Sequence, residues 1–129
     1  MTTVKQALDA TIDAMSDFIA GCDRMHVCVS AAADATYAQV TAATNSLGYA
    51  TITGAGEFTK GAGTPSGRQI ATPVKNGVAV TADGTATQVV LVNSGASSVR
   101  YITTCSSQAL VSGNTVNFPS WTITVVDPT

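Results

Sequence analysis

The only histidine, His26, stands two residues before Cys28 in the run Met25-His26-Val27-Cys28-Val29. Apolar residues alternate there with period two, which marks a strand, and residues i and i+2 of a strand share a face. A thiol beside an imidazole can be activated as a nucleophile. No third orienting group and no oxyanion loop accompany the pair, so the sequence favours an inert pair of strand side chains. Cys22, His26 and Cys28 could also be read as metal ligands. Structural zinc sites usually take four ligands with closely spaced cysteine knuckles, which these spacings do not provide. Gly63-Thr64-Pro65-Ser66-Gly67 lacks the serine spacing of a nucleophile elbow, and neither glycine-rich phosphate-binding fingerprint occurs. Glycoside hydrolysis needs two carboxylates across a cleft. Beyond the first third of the chain only Glu57, Asp83 and Asp127 are acidic, each in or beside a turn or terminus. No catalytic residue, cofactor or metal is expected.

Three cysteines, Cys22, Cys28 and Cys105, leave at least one free thiol or an intermolecular bridge. No secretory signal is visible, so free thiols are the expectation. Should an intrachain pair oxidise, Cys28 with Cys105 is preferred, since both lie in strand patterns. Among the aromatics, Phe18 lies beside a helix seam and Phe58 sits in a glycine-rich loop, where it is a candidate interaction residue. Tyr101 and Trp121 fall in the last β region. Core packing is favoured for them, and stacking on sugar rings is the alternative.

These residues are positioned by one helix and a series of strands. Val4, Leu8, Ile12, Met15, Ile19 and Cys22 form the seam of an amphipathic helix, placed at about Thr3 to Ala20. Thr3 and Gln6 fit a capping box, and Gly21 a left-handed stop. Asp9, Asp13 and Asp17 make an acidic stripe on this helix. A solvated face is the plain reading, and a docking face for a basic partner the sharper one. A second short helix is placed around Tyr37 to Thr44, with Asp34 as N-cap. The strands expected are Met25–Val29, Ala50–Thr53, Arg68–Val74, Val78–Ala82, Thr85–Val92, Val99–Thr104, Gln108–Leu110, Asn114–Phe118 and Trp121–Val126. Asn76-Gly77 and Asp83-Gly84 suit tight hairpins. Asn93-Ser94-Gly95 and Ser112-Gly113-Asn114 suit turns. Gly54 to Gly67 reads as a long flexible loop. Val89 to Val92 is apolar on both faces and reads as a central strand, with the N-terminal helix covering one side. Short strands with such turns predict an antiparallel β-sandwich or barrel-like domain carrying an N-terminal amphipathic helix. The chain reads as one domain, 1–129, with the helix in 1–22 and the β domain in 24–129.

Composition narrows the partners. Charged residues make up 11% of the 129 residues, against about 25% in an ordinary soluble domain. The surface must therefore be built largely from the 20 Thr, 11 Ser and 11 Gly. Six dispersed Lys and Arg cannot form the basic patch that nucleic acid requires, and no apolar run is long enough to span a membrane. Residues 1–35 carry Asp9, Asp13, Asp17, Asp23 and Asp34 against Lys5 and Arg24, a balance of -3. The rest of the chain is near neutral, so the acidic end could meet a less acidic surface on a neighbouring copy.

The C-terminal two-thirds resembles a group of small virion structural proteins of tailed bacteriophages and prophages. The likeness is carried in order by Ser66-Gly67-Arg68, Val80-Thr81-Ala82-Asp83-Gly84-Thr85-Ala86-Thr87, Thr103-Thr104-Cys105, Ser112-Gly113-Asn114-Thr115-Val116 and Trp121-Thr122-Ile123. It covers roughly residues 24–128. Many relatives have His where this chain has Gln88. The resemblance implies a structural role in the virion and no enzyme activity. With the size and the low charge it leads to a capsid decoration, or cement, protein on the outer surface of the head. Its expected partners are the major capsid protein and copies of itself, with assembly in the host bacterial cytoplasm. The alternative is a tail or fibre-associated component that binds host glycans.

Overall fold

In the computed structural model, residues 9–31, 34–63 and 67–125 are described. Helix α1 spans Asp9–Ala20 and strand β1 Arg24–Cys28. Helix α2 (Tyr37–Thr41) and β2 (Ser46–Thr51) follow. Then come β3 (Thr59–Ala62), β4 (Arg68–Ala71), β5 (Lys75–Ala79) and β6 (Gly84–Asn93). The last strands are β7 (Ser98–Leu110), β8 (Thr115–Phe118) and β9 (Thr122–Val125). The fold is mainly β, as the sequence predicts, and among the described residues every strand pairing is antiparallel. One sheet has the order β2-β1-β6-β7, a second β3-β4-β9, and β5 pairs with β8.

The largest sheet buries both faces. Met25 pairs with Leu91 and Val27 with Val89. Directly paired residues point to one side. On that side these four join Ile70, Ile123, Phe58, Phe118 and the Ile19 and Ala20 of α1 in the main core. On the opposite side Cys28, Val90 and Val92 pack with Val40 of α2 in a second cluster. Val89 to Val92 is thus a central strand covered twice, and α2 rather than α1 covers the second face. Ala and Thr dominate α2, so its capping matters. Thr36, not Asp34, is the N-cap, and Thr36 with Gln39 makes a reciprocal capping box.

Other expectations shift for local reasons. The Thr3–Gln6 capping box lies outside the described residues. Gly21 does not end α1 in a left-handed conformation. A Cβ there would run into the Arg100 guanidinium, so the missing side chain makes room for a tertiary contact. The glycine loop contains β3, which pairs residue for residue with β4. Asn76-Gly77 is no hairpin. It is an irregularity within β5, where Gly77 has φ +67° and donates its N–H to Asn117 Oδ1 at 2.9 Å. Asp83-Gly84 joins two different sheets, and Asp83 accepts from the Ser112 N–H at 2.7 Å. Residues 99–104 and 108–110 belong to one strand. Its register jumps from Gln88↔Thr104 to Ala86↔Gln108, leaving Cys105 to Ser107 as a bulge.

Candidate interaction surface

The residues that first suggest chemistry are held in the interior. His26 and Cys28 share the α2 side of β1 and are 3% and 0% exposed. His26 Nδ1 bonds the Ser46 hydroxyl at 2.7 Å, and its ring lies 5.0 Å from that of Tyr49. The Cys28 thiol donates to the Val40 carbonyl at 3.4 Å. Burial lowers the His26 pKa to about 4, helped by the Arg24 guanidinium and opposed by Asp23. Burial raises the Cys28 pKa to about 12. Both groups are therefore neutral near pH 7, the reverse of an activated thiolate beside an imidazolium.

Cys22 is also buried, and its pKa is raised to about 12 by the same desolvation. It belongs to the main core, whereas Cys28 belongs to the α2 side, so Cys22, His26 and Cys28 do not converge. Among the described residues no group of three His, Cys, Asp or Glu is placed to hold a metal. Cys105 is exposed on the β7 bulge, beside clefts lined by Val89, Phe118 and Pro119 on the main-core side. Cys28 and Cys105 thus lie on opposite faces of the sheet, and all three thiols are free. Nearness of two strands does not bring their side chains together when those chains point to opposite faces.

Phe58 is corrected from a surface residue to a core residue, only 6% exposed. The turn Ala55–Glu57 before it is tied down by Glu57. That carboxylate accepts from the Thr53 N–H and from Lys75 Nζ, both at 2.5 Å. These bonds hold the Glu57 carboxyl below its usual range. Tyr101 and Trp121 are half-buried, and their rings stack on one another with centroids 5.7 Å apart. Thr72 fixes the Trp121 backbone: its N–H donates to the Trp121 carbonyl at 2.8 Å and its Oγ1 accepts from the Trp121 N–H at 3.0 Å. Asp17 is exposed and ion-pairs with Lys60. The side chains of Asp9 and Asp13 lie outside the described residues.

One exposed face of α1 is apolar. The helix seam predicts that Met15 is buried, yet Met15 and Phe18 are each 56% exposed, while Ser16 is 2% exposed. The helix is rotated about its axis, so that small residues, Ser16 and Ala20, face the sheets. Small side chains allow close approach, and the larger ones are displaced outward. Beside them runs a cleft of about 510 Å³. It is lined by Ala14, Met15, Phe18 and Ile19 of α1, Arg100 and Tyr101 of β7, and Ile123 and Val125 of β9. Arg100 frames it: its guanidinium lies 4.2 Å from the Phe18 ring centroid, and Nη1 donates to the Phe18 carbonyl at 2.8 Å. That carbonyl is in the last turn of α1, where a cation complements the helix dipole. Periodicity cannot reveal Arg100, because it is 82 residues from its partner.

Compared with known proteins, the chain matches no family model, no curated protein and no solved structure. Among the described residues no helix is long and apolar enough to cross a membrane.

Proposed function

We propose that this protein is a structural component of a tailed-phage virion, a decoration protein that binds the outer surface of the head and ties neighbouring capsid subunits together. The observation that carries the reading is how the charges are used. Asp17 is paired with Lys60 and Glu57 with Lys75. Asp23 accepts from the Ser94 N–H at 2.8 Å and from its hydroxyl. Arg24 lies over Tyr49 and Arg100 over Phe18. Much of the small charge complement is engaged within the chain. The exposed stretch of β7, Thr104 to Ala109, offers only hydroxyl, thiol, amide and methyl groups. A neutral surface of this kind packs against neighbours without burying unpaired charge. Many small contacts, repeated over a shell, then add through multivalency. The ordered likeness of residues 24–128 to small virion proteins points the same way.

Heads of the encoding phage, prepared with and without this protein, provide the test. Labelling is expected on the head surface, and decorated heads are expected to resist rupture at higher temperature than bare ones. Labelling restricted to the tail, or equal rupture temperatures, would refute the reading. Tail location together with glycan-array binding would establish the fibre-associated alternative, although the mutual stacking of Tyr101 and Trp121 already occupies one face of each ring.

A further inference from the structure

We propose that Asn76 is a site of spontaneous deamidation, held silent in the fold by Asn117 and exposed to reaction when β5 parts from β8.

Three observations lead there. First, Asn76-Gly77 is the one Asn-Gly step in the chain; Asn45, Asn93, Asn114 and Asn117 precede Ser, Ser, Thr and Phe. Glycine has no side chain to shield its backbone nitrogen, and the space a Cβ would occupy at Gly77 is open. Second, Asn76 is exposed, and among the described residues its side-chain amide makes no hydrogen bond. Asn45 and Asn93 are instead tied at both ends. Asn45 Oδ1 accepts from the Ser30 N–H at 2.9 Å and its Nδ2 donates to the Gln39 carbonyl at 3.1 Å. Asn93 Oδ1 accepts from the Ala96 N–H at 2.8 Å and its Nδ2 donates to the Gly21 carbonyl at 2.7 Å. Third, the Gly77 nitrogen is restrained. Lys75 pairs with Phe118 and Val78 with Val116, so Asn76 and Gly77 together face Asn117. The Asn117 side chain fills that irregular position, its Oδ1 accepting from the Gly77 N–H at 2.9 Å.

In the reaction the Gly77 nitrogen gives its proton to a solvent base and bonds to Asn76 Cγ. The Cγ–Nδ2 bond breaks, ammonia leaves, and a cyclic imide remains. Water opens the imide at Cγ to give aspartate, or at the main-chain carbonyl of residue 76 to give isoaspartate. Nothing is oxidised or reduced. A nitrogen that donates to an amide oxygen keeps its proton, since that oxygen is a poor base, and it is held away from Cγ. The restraint lasts while β5 and β8 stay paired. They form a sheet of only two strands, the least self-sufficient kind, and local opening begins in such units. Either product places a negative charge next to Lys75, which is paired with Glu57. Isoaspartate also adds a methylene to the backbone of β5, so the pairing with β8 cannot re-form in register.

The test incubates the full chain at mildly alkaline pH, folded and in urea, and follows each asparagine by peptide mapping with mass spectrometry. In urea Asn76 is expected to convert ahead of the other four asparagines. In the folded protein its conversion is expected to be slower by more than about tenfold, since opening of β5 from β8 must come first. Asn117→Ala is expected to speed folded-state conversion by about two- to tenfold, the worth of one hydrogen bond, and to leave the rate in urea unchanged. Asn117→Asp keeps an acceptor for the Gly77 N–H and is expected to retain the slow rate. Should Asn117→Ala fail to fold, hydrogen exchange of the wild-type Gly77 amide decides: protection supports the restraint, and free exchange overturns it. Equal Asn76 rates in the folded and urea-unfolded wild type overturn the proposal. So does a folded Asn117→Ala protein that converts no faster than the wild type.

Discussion

Lowering the pH across the range in which an ordinary histidine titrates should destabilise this fold through one side chain. In the unfolded chain His26 titrates near 6.5, and in the fold near 4. Its ring is buried among Ser46, Tyr49, Val90 and the α2-side cluster, with Nε2 lacking a hydrogen-bond partner among the described residues. Protonating it there places a charge beside Arg24 in a poorly hydrated site. Because the folded value is depressed, the neutral ring's advantage is fully present above pH 6.5 and is lost as pH falls towards 4. Each pH unit between the two values is worth about 1.4 kcal/mol, so the complete loss is about 3 kcal/mol. That is a large share of the roughly 5–15 kcal/mol by which such domains are stable. Asp23 and Glu57 also have lowered values, so their contributions begin to be lost as pH falls into the ordinary carboxylate range, below most of the His26 window. Urea denaturation at steps from pH 7.5 down to about 4 should show the unfolding midpoint dropping steadily for the wild type. His26→Gln removes the titration, and its curve should be nearly flat over the same interval, from a lower starting stability. Equal slopes for the two proteins, or a histidine resonance titrating near 6.5 in the folded protein, would refute the argument.

Three further outcomes follow from individual contacts. Gly48→Ala places a Cβ 2.6 Å from the Ala79 carbonyl oxygen, where β2 and β5 approach, and should lower stability by about 1–3 kcal/mol in chemical denaturation. Thr72→Val leaves the Trp121 N–H without its side-chain acceptor, and should cost about 1–3 kcal/mol with a changed tryptophan emission. In the folded protein a thiol reagent should modify Cys105 alone, and slowly near neutral pH because partial burial raises its pKa, while denatured protein should titrate all three cysteines.

Much of the fold was legible because it is written locally. The two-sided apolar run Val89 to Val92 identified the central strand, since only a strand covered on both faces tolerates it. The turns at Asn93-Ser94-Gly95 and Ser112-Gly113-Asn114 were readable from residues that punctuate backbone conformation, whereas Gly21 follows the end of α1 without the left-handed conformation expected of it. β3 was not, because Thr59 to Ala62 carries little strand preference and becomes a strand through pairing with Arg68 to Ala71. For the same reason Asn76-Gly77 looked like a hairpin: the dipeptide specifies a positive φ, and both a turn and a bulge provide one.

The candidate surface divides in the same way. The sequence by itself determined that the chain would be mainly β, that α1 would carry one apolar seam, and that charge would be scarce. These are properties of composition and period. Which part of the seam is buried was decided only when α1 met β4 and β7, because Ser16 and Ala20 let the helix approach closely and so turned Met15 and Phe18 outward. Phe58 entered the core and Arg100 reached the end of the helix for the same kind of reason. Each depends on a partner far away in the chain, and no local pattern of residues specifies how two distant segments will rotate against one another.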